Sequence, residues 1–230
     1  MTLLLATASI ALADGEREAL EMGNQAFERG QYELAIYEYQ QALNPTGSFY
    51  AEASYNIGVC NYKLGRKSEA VKWYRAAIKA RAGRYVNASY ALGVALEEMG
   101  RYREAKEAFN QAARASSGRH SASLFKLGLA LQRGGDYAGA IENYRRAIAQ
   151  SKFPLPACHN NLGVVFVMLG RITDAEREFR IALQQSDGGF TDASYNLERC
   201  RRLMQSKAPA MIADLRTSAD VKAAQQAGLD

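Results

Sequence analysis

The chain has 230 residues, of which 48% are hydrophobic and 23% charged, the composition of an ordinary globular chain. Its net charge is only +5, with both signs mixed along the chain, which argues against a dedicated nucleic-acid-binding arm or face. The spacing of Cys60, Cys158 and Cys200 fits no metal motif and no disulfide framework. We therefore expect three small, buried cysteine side chains.

The first thirteen residues read as a leader. Residues 3–13, LLLATASIALA, are uncharged and apolar and end in an Ala-x-Ala sequence before Asp14. This pattern is typical of a cleaved signal peptide, so we expect export to a periplasmic or other extracytoplasmic location. The usual basic residues are missing ahead of the apolar stretch, so a first helix that caps a cytoplasmic protein is the alternative. The stretch is too short for an integral membrane span, and no other segment is a candidate.

Residues 16–190 repeat with a period of exactly 35 residues. Five positions recur in every copy without insertion: a glycine, a second glycine seven residues on, an alanine, an aromatic residue and another alanine. In the second copy these are Gly58, Gly65, Ala70, Tyr74 and Ala77. Self-similarity at such a period is the signature of stacked structural repeats. The predicted repeats are 16–50, 51–85, 86–120, 121–155 and 156–190.

Each repeat reads as two helices joined at the second glycine. The apolar residues of 57–65 and 68–79 follow a helical period. Gly58 would let the first helix, which we call helix A, approach the second, helix B, and Gly65 would end helix A in a left-handed conformation. Tyr74 would fill the space between the small residues. The prediction is an all-α protein.

These residues resemble the tetratricopeptide-repeat family, whose pattern is W-x2-L-G-x2-Y…A-x3-F…P over about 34 residues. The L-G pair is present as Met22-Gly23, Ile57-Gly58, Leu92-Gly93, Leu127-Gly128 and Leu162-Gly163. The family's tryptophan and terminal proline are absent. The resemblance implies a right-handed superhelical solenoid of five helix pairs. Residues 191–207 would add a capping helix, since Glu198 replaces the glycine there, and 208–230 would form a C-terminal tail.

Pentatricopeptide repeats, which read RNA with one base per repeat, are the rival for a 35-residue period. The positions that would carry a base code show no code-like alphabet, and we do not expect nucleic-acid binding. Catalysis is not expected either, because His120 and His159 lack a nucleophile in a suitable position and no catalytic or phosphate-binding motif is present. We predict no catalytic residues, no metal and no cofactor.

The resemblance implies a non-enzymatic scaffold that binds a protein or peptide, of unknown identity, in a concave groove lined by the A helices. A clamp for a carboxylate-terminated tail is not expected, because Leu20, Asn87 and Ala91 stand where the clamp needs cations. Alternatives are a self-assembling homo-oligomer and, less favoured, a nucleic-acid-binding repeat. The predicted groove residues, of which the ninth in each repeat should be the most exposed, are Asn24, Tyr55, Asn56, Val59, Tyr62, Tyr90, Val94, Phe125, Leu129 and Val164.

Two features lie outside the groove prediction. Trp73, the only tryptophan, is expected on helix B with one ring face buried, or alternatively as a partner contact. The tail carries Met211, Ile212 and Leu215 and is a candidate occupant of the groove, although we expect a disordered tail.

Overall fold

The computed structural model describes the backbone of residues 2–206 and of Leu215, and the side chains of residues 13–205 and of Leu215. All regular structure in this part of the chain is α-helical, which confirms the predicted fold class. None of the described helices combines the length and apolar character needed to cross a membrane. Apart from Leu215, the tail lies outside the described residues. The chain packs as two compact units, Met1–Ser116 and Ser117–Asp230.

Unit 1 contains three consecutive helix pairs. Each A helix packs on the B helix that follows it, and the first two B helices also pack on the A helix that comes next. The A helices are α1 (Thr2–Glu28), α3 (Tyr50–Lys63) and α5 (Val86–Glu98), and the B helices are α2 (Tyr32–Gln41), α4 (Lys67–Ala80) and α6 (Tyr102–Ala115).

Unit 2 contains two further pairs and a final A-type helix. The last helix packs against both helices of the pair before it, as expected for a cap. The A-type helices are α7 (Ser121–Arg133), α9 (Pro156–Met168) and α11 (Thr191–Ser206), and the B helices are α8 (Tyr137–Gln150) and α10 (Ile172–Gln185).

The recurring glycine of helix A meets the recurring aromatic of helix B in every pair. At Gly93 an added Cβ would lie 2.5 Å from Cε1 and 2.6 Å from Cδ1 of Phe109, closer than real Cβ atoms come to another atom. The five aromatic rings are at most 2% exposed: Tyr39, Tyr74, Phe109, Tyr144 and Phe179. Burial of such a side chain stabilises the fold by about 1.5–3 kcal/mol, which is why the helices accept an interior glycine.

The second recurring glycine ends helix A. Gly65 has φ +75 and its amide donates to the Tyr62 carbonyl, while the amide of Arg66 donates to the Asn61 carbonyl. These bonds satisfy carbonyls at the helix end that would otherwise lack a partner. The chain then reverses into helix B, as predicted.

The connections that follow the B helices have more than one backbone conformation. Three of them contain two successive residues with positive φ: Ala82 and Gly83, Ser117 and Gly118, and Asp187 and Gly188. The connection after α8 differs: Ser151 is extended (φ −81, ψ 137), and Pro156 opens α9, where a missing N–H costs nothing.

The predicted leader and the first repeat form a single helix. Helix α1 runs without interruption from Thr2 to Glu28, so the backbone around Asp14 is helical. The side chains of residues 2–12 lie outside the described part. Export and cleavage therefore stay a prediction.

Candidate binding face

The A helices of unit 1 present a row of half-buried aromatic and aliphatic side chains. We call this row the tyrosine face; its members are Tyr55, Val59, Tyr62, Tyr90 and Val94. The 35-residue register places Tyr55 above Tyr90, and Val59 above Val94, on α3 and α5. All five are predicted groove residues, and each is neither fully buried nor fully exposed.

Tyr55 and Tyr90 each pack against a buried aromatic residue of their own helix pair. The Tyr55 ring centroid lies 5.9 Å from that of Tyr74 and 5.3 Å from that of Tyr85, and the Tyr90 centroid lies 5.7 Å from that of Phe109. Tilted aromatic pairs at this separation are favourable. The rings are therefore held in place while part of their surface stays accessible.

Tyr62 is fixed at the edge of the tyrosine face by an acidic partner. Its hydroxyl donates to Glu98 Oε1 at 2.5 Å, and Glu98 Oε2 lies 2.9 Å from Lys67 Nζ. Burial and the neighbouring carboxylate raise the pKa of Tyr62, so the phenol keeps its proton and donates it. This chain of contacts ties α3 to α5 and to the start of α4.

The two predicted groove asparagines of unit 1 bond to a tyrosine beneath them. The Tyr39 hydroxyl donates to Asn24 Oδ1 at 2.7 Å, and the side chain of Asn56 bonds to the same hydroxyl. Asn56 Nδ2 also lies 3.5 Å from Asn24 Oδ1. Burial is the main cause that raises the pKa of Tyr39. The asparagines thus link the first two repeats, and Asn24 remains exposed.

Charge in unit 1 is sorted between the two kinds of helix. The A helices carry eight carboxylates and only two basic side chains, Arg17 and Lys63, whereas the B helices carry seven basic side chains and five carboxylates. Glu28 and Glu52 lie near enough to the Tyr39 hydroxyl to raise its pKa further. The A helices of unit 1 therefore carry an excess of negative charge.

The A-helix face of unit 2 differs from the prediction. Leu129 and Val164, the ninth residues of their repeats, are 0% and 1% exposed, and Phe125 is 1% exposed. The expectation that ninth residues are the most exposed is wrong for this unit. Helix α9 contains no Asp, Glu, Lys or Arg, which already indicates a helix that is enclosed by the protein, and Pro156 to Val167 are buried without a break.

Asparagine side chains make buried polar contacts inside unit 2. Asn196 Nδ2 donates to Asn160 Oδ1 at 2.8 Å, and Asn160 Nδ2 lies 3.3 Å from Asn161 Oδ1. The Tyr144 hydroxyl donates to Gln132 Oε1 at 2.8 Å and is bonded to Asn161. The pair Tyr144 and Asn161 thus repeats the contact between Tyr39 and Asn56 in unit 1.

The histidines and cysteines have structural partners. His159 is buried, with Nδ1 2.7 Å from Glu178 Oε2 and Nε2 3.2 Å from Gln185 Nε2, and His120 accepts from the Ser123 amide at the start of α7. All three cysteines are free and buried, as predicted. Burial raises the pKa of Cys60 and of Cys200 to about 11, which disfavours the reactive thiolate.

The expectation for Trp73 has an outcome. Trp73 is half-buried and packs against the core cluster that contains Ala35, Tyr39 and Ile57, which confirms the partial burial. Among the described residues, no group of three or more His, Cys, Asp or Glu side chains is arranged to hold a metal ion.

A fold of consecutive helix pairs, each closed by a glycine against an aromatic, defines a helical repeat protein. The tetratricopeptide-repeat family model matches residues 20–85, 90–154 and 125–190, and the chain belongs to this family. No curated protein sequence matches significantly.

Several solved structures share the fold. A MamA fragment (41-end) from Desulfovibrio magneticus RS-1 is 20% identical with a TM-score of 0.63, over 77% of this chain and 98% of that one. YrrB, described as a tetratricopeptide-repeat protein with an unusual peptide-binding site, is 18% identical with a TM-score of 0.64, over 80% and 91%. PilF of Pseudomonas aeruginosa is 18% identical with a TM-score of 0.67, over 88% and 89%.

Proposed function

We propose that this protein is a non-enzymatic scaffold that binds a protein or peptide on the tyrosine face of unit 1. The observation that carries the proposal is a row of aromatic and aliphatic side chains that is rigidly supported from below and only half-buried. Such a row, repeated on successive parallel helices, suits a peptide that offers apolar anchors at regular intervals. The peptide-binding site of YrrB supports the same use of the fold.

The charge around the tyrosine face indicates the class of partner. Eight carboxylates against two basic residues on the A helices create a negative potential that attracts a basic segment and repels an acidic one. Tyrosine rings also bind cations over their faces. We therefore propose a partner segment that is rich in lysine or arginine and carries aromatic or aliphatic anchors.

Selection from a displayed random peptide library tests this proposal. Selected peptides should be enriched in basic and apolar residues, and their binding, measured by fluorescence polarisation, should weaken with salt. In the variant Glu21→Lys with Glu52→Lys, affinity should fall about tenfold or more. The control variant Glu38→Lys with Glu107→Lys makes the same change in net charge on B helices and should bind nearly as well as the unchanged protein.

The opposite pattern would relocate the site. If the B-helix variant loses binding and the A-helix variant keeps it, the partner contacts the face that carries Trp73. If selected peptides show no excess of basic residues, the proposed class of partner is wrong. Light scattering on the same samples separates peptide binding from self-assembly, which would give a mass that rises with concentration.

A further inference from the structure

Unit 1 contains a pocket between its B helices α4 and α6, with α5 beneath them. Its volume is about 500 Å³, within the range of about 300–1,000 Å³ that is typical of small-ligand sites. None of its lining residues belongs to the tyrosine face. Four buried apolar side chains form the floor: Ile78, Leu92, Leu96 and Ala108.

A polar contact bridges the pocket at each end. At one end Arg75 Nη2 on α4 lies 2.6 Å from Glu104 Oε2 on α6. About two helical turns further on, the side-chain amide of Gln111 donates to the Gly83 carbonyl at 3.4 Å. Both contacts advance in the same direction along the chain, so α4 and α6 run parallel past the pocket. The bridges limit its length, which suits a short ligand.

Two opposite charges line the pocket between these bridges. Lys79 lies one turn beyond Arg75 on α4, and Glu107 lies one turn beyond Glu104 on α6. Both side chains are exposed, and among residues 13–205, whose side chains the structure describes, neither has an ion-pair partner. The pocket thus offers a cation on one wall and an anion on the other, with an apolar floor between them.

The positions of these charges define the ligand that would complement them. Lys79 calls for a carboxylate, Glu107 calls for an ammonium group, and the floor calls for apolar side chains. A free amino acid carries both charged groups on one carbon atom and cannot reach two walls. Packed helices lie about 8–10 Å apart, and two or three extended residues span about 7–11 Å. A dipeptide or tripeptide therefore has the required length.

We propose that this pocket binds a short apolar peptide with free ends, a dipeptide or tripeptide. Its terminal carboxylate pairs with Lys79, its terminal ammonium pairs with Glu107, and its side chains lie on the floor beside Leu96. An internal segment of a longer chain lacks both terminal charges and binds less well. The pocket lies outside the tyrosine face, so this inference stands independently of the proposed partner site.

Isothermal titration calorimetry of the full-length chain with dileucine and trileucine tests the proposal. Binding should weaken as salt is added, and free leucine should bind more weakly than either peptide. Acetylating the amino end or amidating the carboxyl end of trileucine should each weaken binding about threefold to fivefold, the upper range for one exposed ion pair. If neither dileucine nor trileucine binds, or if blocking both ends leaves the affinity unchanged, the proposal is overturned.

Pairing each variant with one blocked peptide assigns the two ends. Lys79→Gln should weaken binding of trileucine but not of its amide, and Glu107→Gln should weaken binding of trileucine but not of its acetyl derivative, because each pair of changes removes the same contact. The control variants Lys106→Gln and Glu69→Gln change exposed charges on the same two helices and should bind as the unchanged protein does. Equal losses in the control variants would overturn the proposal.

One further variant separates this pocket from the tyrosine face. Glu21→Lys with Glu52→Lys, which should weaken binding of basic peptides to the tyrosine face, should leave the affinity for trileucine unchanged. If this variant loses trileucine and Lys79→Gln keeps it, the peptide binds on the A helices and the proposed pocket is wrong.

Discussion

Replacing Gly93 with alanine tests the packing that defines every repeat. The new methyl carbon would lie 2.5 Å from Cε1, 2.6 Å from Cδ1 and 2.9 Å from Cζ of Phe109, a ring that is only 2% exposed. Alanine in a helix interior is favoured over glycine by about 0.5–1 kcal/mol, but overpacking a close contact costs about 1–3 kcal/mol. We expect a net loss of about 0.5–2 kcal/mol in the free energy of unfolding.

The chain offers a matched control for this substitution. Gly15 also lies within a helix of unit 1, and a Cβ added there would meet nothing within 4 Å. Gly15→Ala should therefore stabilise the protein by up to about 1 kcal/mol, or leave it unchanged if the leader is cleaved close by. The change from glycine to alanine is thus expected to lower the free energy of unfolding at Gly93 and to raise it at Gly15.

Urea unfolding followed by tryptophan fluorescence measures both variants. Trp73 is the only tryptophan and lies in unit 1, so it reports the unit that contains both glycines. Gly93→Ala should cost less in a Phe109→Leu background, because the smaller side chain relieves the clash. If Gly93→Ala stabilises unit 1 as Gly15→Ala does, close contact is not the reason for the recurring glycine.

Four further predictions follow from the same structure. Gly100 has φ +74, so Gly100→Val should cost about 1 kcal/mol or more of unfolding free energy in urea; an unchanged midpoint would contradict the turn. Tyr39→Phe should lower the free energy of unfolding by about 1 kcal/mol because two asparagines lose their partner. The hydroxyl of Tyr74 has no described hydrogen bond, so Tyr74→Phe should lower it less, and equal losses for the two variants would refute this. Burial raises the pKa of Cys60 from 9.0 to about 11. The contribution of the protonated thiol to stability is therefore complete below pH 9 and is lost as the pH rises towards 11. Between pH 8 and pH 10.5, the free energy of unfolding should fall less in Cys60→Ala than in the unchanged protein. Expressed with its natural upstream sequence, the exported chain should begin near Asp14, and an intact mass that retains residues 1–13 would count against export.

The fold was predictable because the two helices of every repeat make the same close contact. Gly58 and Tyr74 had to recur together, since a larger residue at either place would force the two helices apart. The same reasoning predicted the left-handed end of helix A at Gly65. Because this contact is local in sequence and occurs five times, few other folds are compatible with the sequence.

The burial of the A-helix faces was predictable only in part. For unit 1 the resemblance to the repeat family indicated the row of Tyr55, Val59 and Val94, because the matching positions line the groove in that family. For unit 2 the same reasoning wrongly predicted exposure of Leu129 and Val164. Register shows which way a side chain points from its own helix, whereas its exposure also depends on what packs over it.

The distribution of charge between the two kinds of helix could have been recognised from the sequence and was missed. Along the chain, acidic and basic residues alternate closely enough that the net charge of +5 looks evenly spread. Sorting the residues by helix type shows eight carboxylates and two basic residues on the A helices of unit 1, whereas its B helices carry seven basic residues and five carboxylates. The separation has a physical effect only because stacking brings every A helix of the unit to one side, where charges distant in sequence add to one potential. In a repeat protein the charge of a face, rather than the charge of the chain, therefore selects the partner.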